Sequence, residues 1–156
     1  LRELRAGQKQ SHWIWFIFPQ IDGLGTSGMS RFYSISGLDE ARAYLAHGVL
    51  GPRLEECARA VLGWSGKRSA LEILGPIDAQ KFASSMTLFE AANGPAACAE
   101  ALDRVCDGMR DMRTLALLGL DAPRARMGQI NPPAREPALP AADRCGAPPH
   151  TPLPRA

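Results

Sequence analysis

The sequence predicts an all-α protein. It reads as a single compact domain of several short helices around an aromatic segment, followed by a disordered Pro-rich C-terminal tail. Three observations carry that reading. Apolar residues recur at helical spacing from Leu38 to Leu118, and no stretch alternates apolar and polar over six residues. Glycine and proline breakers separate the periodic stretches. All ten aromatics lie between Trp13 and Phe89, whereas nine of the 13 prolines lie between Pro123 and Pro154.

The first element is the run Ser11-His12-Trp13-Ile14-Trp15-Phe16-Ile17-Phe18-Pro19-Gln20. Two Trp and two Phe so close together carry a large apolar area, on the order of 150–250 Å² each. The run is too continuous for an amphipathic surface helix, so Trp13, Trp15, Phe16 and Phe18 are expected to be mostly buried. Pro19 stops it. His12 and Gln20 bracket it, and each needs a hydrogen-bond partner if buried.

A glycine turn follows, Gly23-Leu24-Gly25-Thr26-Ser27-Gly28, which is formally G-x-G-x-x-G. A dinucleotide fingerprint needs a strand directly before it, a helix after it, and a second strand ending in an acid. Here Pro19-Gln20-Ile21-Asp22 intervenes, and helix continues from Leu38 onward. The turn is instead expected to lead into a helix over Met29 to Ile35. Thr26, Ser27 and Ser30 would sit at its N-terminus beside Arg31, a place where anions bind.

Leu38, Ala41, Leu45 and Val49 form the next stripe, with Asp39 and Glu40 where the helix dipole favours acids. Leu50, Leu54, Cys57, Ala58, Val61 and Leu62 form another, with Pro52 suited to its first turn. Phe82, Met86 and Phe89 mark a third, for which Asp78 is placed as N-cap. Cys98, Leu102 and Val105 mark a fourth. Leu115, Leu117 and Leu118 suggest a short last helix capped by Asp111 or Thr114. The breakers fall at Gly48, Gly63 to Gly66, Gly75-Pro76, Gly94-Pro95 and Gly108.

From residue 121 the chemistry changes. Residues 121–156 hold no aromatic, and their prolines bar helix. They cannot bury enough surface to offset chain entropy and are expected to be disordered. Pro137-Ala138-Leu139-Pro140 fits P-x-x-P, a recognition pattern, although arginine- and proline-rich translation without a partner explains it more simply. The tail carries five Arg against three acids, so the formal charge of +2 belongs to it and residues 1–120 are neutral overall. So small a charge argues against nucleic acid and against an acidic membrane as partners. The longest apolar run, Trp13 to Phe18, is far too short to span a bilayer.

Cys57, Cys98, Cys106 and Cys145 show no zinc-ligand spacing, and no signal peptide is visible. A reducing, cytoplasmic location with free thiols is expected, and no metal or cofactor. The chain begins with Leu1, which suggests a true start further upstream.

Candidate chemistry concentrates around Asp78-Ala79-Gln80-Lys81-Phe82-Ala83-Ser84-Ser85. Lys81 stands three residues after Asp78, within pairing distance on a helix. Lys81 with Ser84 or Ser85 offers anion contacts and, more remotely, a Ser–Lys nucleophile. His47, before Gly48, reads as a cation at a helix C-terminus.

These motifs together resemble one family. SHWIWFIFPQ, then GLGTS with Ser30 and Tyr33, then LDEARAYLAHGVLGPRLEEC, IDAQKFASSMTLFEA and RTLALLGL occur in order over roughly Leu1 to Leu120. The chain resembles the domain of unknown function 1810, a bacterial and fungal family often labelled calpastatin-like. The resemblance implies a mainly α-helical fold and no particular activity. Members usually carry a further helical segment upstream of the position of Leu1. They commonly have proline where Gly48 stands, and they usually end near Leu120.

Two functions are open. The first is binding of a small anionic or nucleotide-like metabolite, with or without catalysis, in a pocket lined by His12, Gln20, Ser27, Arg31, Tyr33, Lys81 and Ser84. Trp and Phe would supply flat walls for a ring, and Arg31 or Lys81 would meet a phosphate. His12, beside the aromatic run, would serve as an acid or base. The second is a non-catalytic structural or protein-interaction module in which these groups satisfy one another.

Overall fold

The computed structural model describes residues 1–120. The expectations about residues 121–156, including Cys145, His150 and the P-x-x-P segment, lie outside the described residues. Nine helices are present among the described residues: α1 (Arg2–Arg5), α2 (Ile14–Ile17), α3 (Gly28–Phe32), α4 (Leu38–Ala46), α5 (Leu50–Leu62), α6 (Ala70–Leu74), α7 (Pro76–Ala91), α8 (Ala96–Val105) and α9 (Met112–Leu117). There is no strand among them, only one parallel bridge between Ile21 and Ile35. The fold is all-α.

α7 is the axis of the molecule. Phe82 and every residue from Ser84 to Phe89 are buried, so the helix is covered on nearly all sides rather than amphipathic. It packs against α2, α4, α6, α8 and α9, while α5 packs against α8, α4 and α1. The expected stripes meet in this core: Leu54, Cys57, Ala58 and Val61 from α5, and Cys98, Leu102 and Val105 from α8. Phe18 docks edge-on to Phe82 with ring centroids 4.8 Å apart. Tyr44 of α4 meets Phe89 at 5.2 Å.

Polar groups on a buried helix need partners, and α7 meets most of them internally. Thr87 Oγ1 donates to Ala83 O at 2.8 Å, and Ser84 Oγ lies 3.0 Å from Gln80 O. Ser85 Oγ is buried with no partner.

The N-terminal region is held differently. The Glu3 carboxylate accepts from the backbone N–H groups of Gln10 and Ser11, from the Ser11 hydroxyl and from Trp13 Nε1. Lys9 N donates to Ile73 O at 2.8 Å, Trp64 Nε1 to Leu4 O at 2.9 Å, and an Arg68 guanidinium nitrogen to Gly7 O at 2.9 Å. Gly7 has φ +67°, and a Cβ there would lie 2.6 Å from the Trp64 ring, so this position requires glycine.

Several local expectations change. Phe18 and Ile14 are buried, but Trp13 and Trp15 are half-buried and Phe16 is 44% exposed. α2 is a single turn, and one turn cannot aim four successive aromatics at one core. The helix expected over Met29 to Ile35 is only Gly28–Phe32, since Ile35 leaves it to bridge Ile21. Val49 lies outside α4 and is exposed, because the helix ends at Ala46. His47 Nδ1 accepts from the N–H groups of Val49 and Leu50 at 3.2 and 3.3 Å. His47 is the C-cap of α4, as expected, and through these bonds it also serves the start of α5 as an acceptor. Leu50 is exposed at that start. Asp78 is not the N-cap of α7: Gly75 holds that place, Pro76 is the first helical residue, and Asp78 lies two further on. Asp111 does cap α9, through Arg113 N, and Thr114 is buried. α1 and α6 were not anticipated.

Candidate anion site

Two hollows meet at the start of α7. The first, about 360 Å³, is lined by Lys9, His12, Trp15, Gly75, Asp78 and Lys81, among others. The second, about 140 Å³, includes Gln20, Gln80, Lys81, Ser84, Asp111 and Arg113 in its wall. Ile77 and Lys81 belong to both.

The chemistry of the first hollow centres on one carboxylate between two ammonium groups. Asp78 Oδ2 is 2.5 Å from Lys9 Nζ, and Asp78 Oδ1 is 2.9 Å from Lys81 Nζ. The lysine side chains are only 8% and 21% exposed, and that of Asp78 17%. Each ammonium also lies over an indole: Lys9 5.3 Å from the Trp13 ring centroid, and Lys81 4.6 Å from that of Trp15. Burial by itself would raise the Asp78 pKa. The hydrogen bonds and charges of Lys9 and Lys81 outweigh it and hold the group below its ordinary range. The carboxylate is therefore ionised at neutral pH, and the trio keeps one positive charge in excess.

The helix terminus adds to this. Pro76 has no N–H, Gly75 offers no side-chain cap, and the N–H groups of Ile77 and Asp78 find no acceptor among the described residues. Such groups are oriented donors with the positive end of the helix dipole behind them. Trp15 Nε1 is also buried without a partner.

Of the residues singled out from sequence, His12 and Lys81 share the first hollow, while Gln20, Ser84 and Lys81 share the second. His12 is exposed rather than packed into the core. Ser27, Arg31 and Tyr33 line neither hollow. Ser27 caps α3 by accepting from Ser30 N at 3.1 Å, Arg31 is exposed, and Tyr33 packs against Phe16 and Phe32 with centroids at 5.7 and 5.0 Å. The indole faces expected to stack a ring carry lysines instead. The Ser–Lys pairing is absent: Lys81 bonds Asp78, and Ser84 Oγ lies 2.6 Å from Asp111 Oδ2.

Sequence reasoning passed over Lys9, Asp111 and Arg113 as site residues. Lys9 and Asp78 are far apart in the chain, and no local pattern joins them. Cys57 and Cys98 are buried and Cys106 is partly buried. Burial pushes Cys98 and Cys106 up to about 12 and raises Cys57 as well, so all three stay protonated at neutral pH. Among the described residues no group of three His, Cys, Asp or Glu side chains is placed to hold a metal ion, and no helix is long and apolar enough to cross a membrane.

Fold and site thus define a small helical domain with a cationic hollow at the head of its central helix. The chain belongs to the family described as protein of unknown function (DUF1810), whose model matches residues 1–118. It is similar to the crystal structure of the conserved hypothetical protein Rv1873 from Mycobacterium tuberculosis, determined at 1.38 Å. The two share 48% identity over 76% of this chain and 85% of that one, with a TM-score of 0.72. Neither description carries the calpastatin-like label. No curated protein matches the chain.

Proposed function

We propose that this domain binds a small anionic metabolite, carrying a phosphate or carboxylate, in the hollow between Lys9, His12 and Lys81. The observation that carries the reading is the shared carboxylate: two largely buried lysines divide Asp78 between them. A cation excess withdrawn from water is costly unless an anion meets it. The free N–H groups of Ile77 and Asp78 supply directed donors to the same place. The indoles position the ammonium groups rather than stack a ligand ring, so the support is for the anionic part of the ligand and not for a nucleobase.

A thermal-shift series with inorganic phosphate, phosphate esters and small carboxylates tests this on the full chain. A ligand present at 100 times its Kd stabilises by about 2.7 kcal/mol, a rise of several degrees in a domain of this size. Lys81→Met is expected to abolish the response, whatever its own melting temperature. A response that survives in Lys81→Met, or the lack of any response to all three ligand types, contradicts the proposal.

One observation favours the alternative of a protein-interaction module. A larger hollow of about 430 Å³ beside α6 and α7 is walled mainly by apolar groups, and Leu71, Met109 and Met112 at its edge are exposed. Flexible, polarisable methionines suit a protein partner better than a polar metabolite.

A further inference from the structure

The second hollow differs from the first in its chemistry, and the difference indicates what the rest of the ligand is. We propose that the anion is part of a hydroxyl-bearing molecule, a sugar phosphate, whose sugar occupies the second hollow while its phosphate lies across Lys81 in the first. This rests on the anion-binding reading above.

Asp111 lines the second hollow. Its Oδ2 accepts from Ser84 Oγ at 2.6 Å and from Thr114 Oγ1 at 2.7 Å, and its Oδ1 accepts from Arg113 N at 3.2 Å. Its own N–H donates to Thr87 Oγ1 at 3.0 Å. Ser84 and Thr114 are buried. The carboxylate is therefore fixed in place, and with about four acceptor sites it has capacity left after three donors. Across the hollow, the half-buried Gln20 amide has no partner among the described residues and offers both a donor and an acceptor. The exposed Gln80 amide adds another such pair.

Charge then selects the occupant. A second anion would face the Asp111 carboxylate. A cation would face Lys81 and the Arg113 guanidinium. A neutral hydroxyl both donates and accepts, so it satisfies a carboxylate on one side and an amide or guanidinium on the other. At about 140 Å³ the space is less than half the volume of the first hollow, which suits a small polyol and not a second large ring. Lys81 and Ile77 line both hollows, so a phosphate held by Lys81 has the second hollow next to it.

Isothermal titration of the full chain with inorganic phosphate, glucose 6-phosphate and ribose 5-phosphate tests the inference. The expected result is that at least one sugar phosphate binds roughly tenfold more tightly than phosphate, the worth of one or two well-made hydrogen bonds. That ratio should fall towards one in Gln20→Ala and decrease in Gln80→Ala, an exposed position whose substitution does not threaten folding. Equal affinity for all three ligands, or a ratio that persists in both variants, overturns the sugar assignment and leaves the anion site standing. If none of the three binds, the anion reading fails and the sugar assignment fails with it.

Discussion

The helical core around α5, α7 and α8 and the N-terminal region up to Gly37 are built on different principles. In the core, apolar residues recur along each helix and meet their counterparts on the next, as Phe89 of α7 meets Tyr44 of α4. In the N-terminal region three short helices have little hydrophobic seam of their own. They are tied down by single buried side chains such as Leu4, Ile14 and Phe18 and by single long-range polar contacts: Trp64 Nε1 on Leu4 O, Arg68 on Gly7 O, and Lys9 N on Ile73 O. Periodicity makes a scaffold, and single buried side chains (Leu4, Ile14, Phe18, Ile21 and Ile35) together with scattered hydrogen bonds dock the arm on it. The candidate site lies where the two meet, with Lys9 and His12 from the arm and Asp78 and Lys81 from the core helix.

The sharpest way to break that contrast is inside the aromatic run. Phe18→Ala removes a fully buried ring and is expected to cost ~3–5 kcal/mol in a urea titration. Phe16→Ala, two residues earlier, loses chiefly one tilted contact with Tyr33 and should cost about 1 kcal/mol or less. Equal costs would mean that the whole run belongs to the core. Next in size is Gly7→Ala, which forces a left-handed backbone on alanine and pushes a methyl into Trp64. About 2 kcal/mol of destabilisation is expected by the same titration.

A smaller effect comes from Glu3, the anchor of the arm. Hydrogen bonds from the Ser11 hydroxyl, Gln10 N, Trp13 Nε1 and Ser11 N lower its pKa from 4.5 to about 2. A depressed carboxylate contributes stability that is complete above its unfolded value and is lost as pH falls through the folded value. The stability gap between the parent and Glu3→Gln should therefore be constant above about pH 5 and close between pH 4.5 and 2. A gap that stays unchanged down to pH 2 would show that the bonds do not depend on the ionised form. A further pair of variants separates neighbours on α7. Ser84→Ala should cost about 1–3 kcal/mol because it takes a donor from Asp111. Ser85→Ala removes a hydroxyl that has no partner and should leave stability unchanged or raise it by up to about 1 kcal/mol.

The same division decides what was legible in the sequence. Leu54, Cys57, Ala58 and Val61 announce α5 because burial follows the helical period. Val49 misleads because its spacing continues the Leu38 stripe past the end of α4, into a turn that a histidine acceptor stabilises. α6 had a visible signal, the capping box of Ser69 and Glu72, but its five residues are too short for a stripe. Asp78 reads as a cap because its residue type suits one, whereas Pro76 sets the start of α7 a turn earlier. Lys81 and Ser84 were legible as site candidates because they share a helix face with Asp78. Lys9 was not, because its meeting with Asp78 depends on a backbone bond to Ile73 that no local pattern encodes. Ser27 and Arg31 drew attention through a glycine turn whose helix is only five residues long and caps itself.

The central claim is that Lys9, Asp78 and Lys81 hold a charge excess that an anion neutralises at the head of α7. A proton–nitrogen correlation NMR titration of the full chain with inorganic phosphate at constant pH and ionic strength tests it most directly. The account predicts saturable shifts centred on the amides of Ile77 and Asp78 and on the Trp15 indole N–H, removed by Lys81→Met. Shifts that never saturate, or that spread evenly over the arginines and lysines of the surface while these three signals stay still, would contradict it.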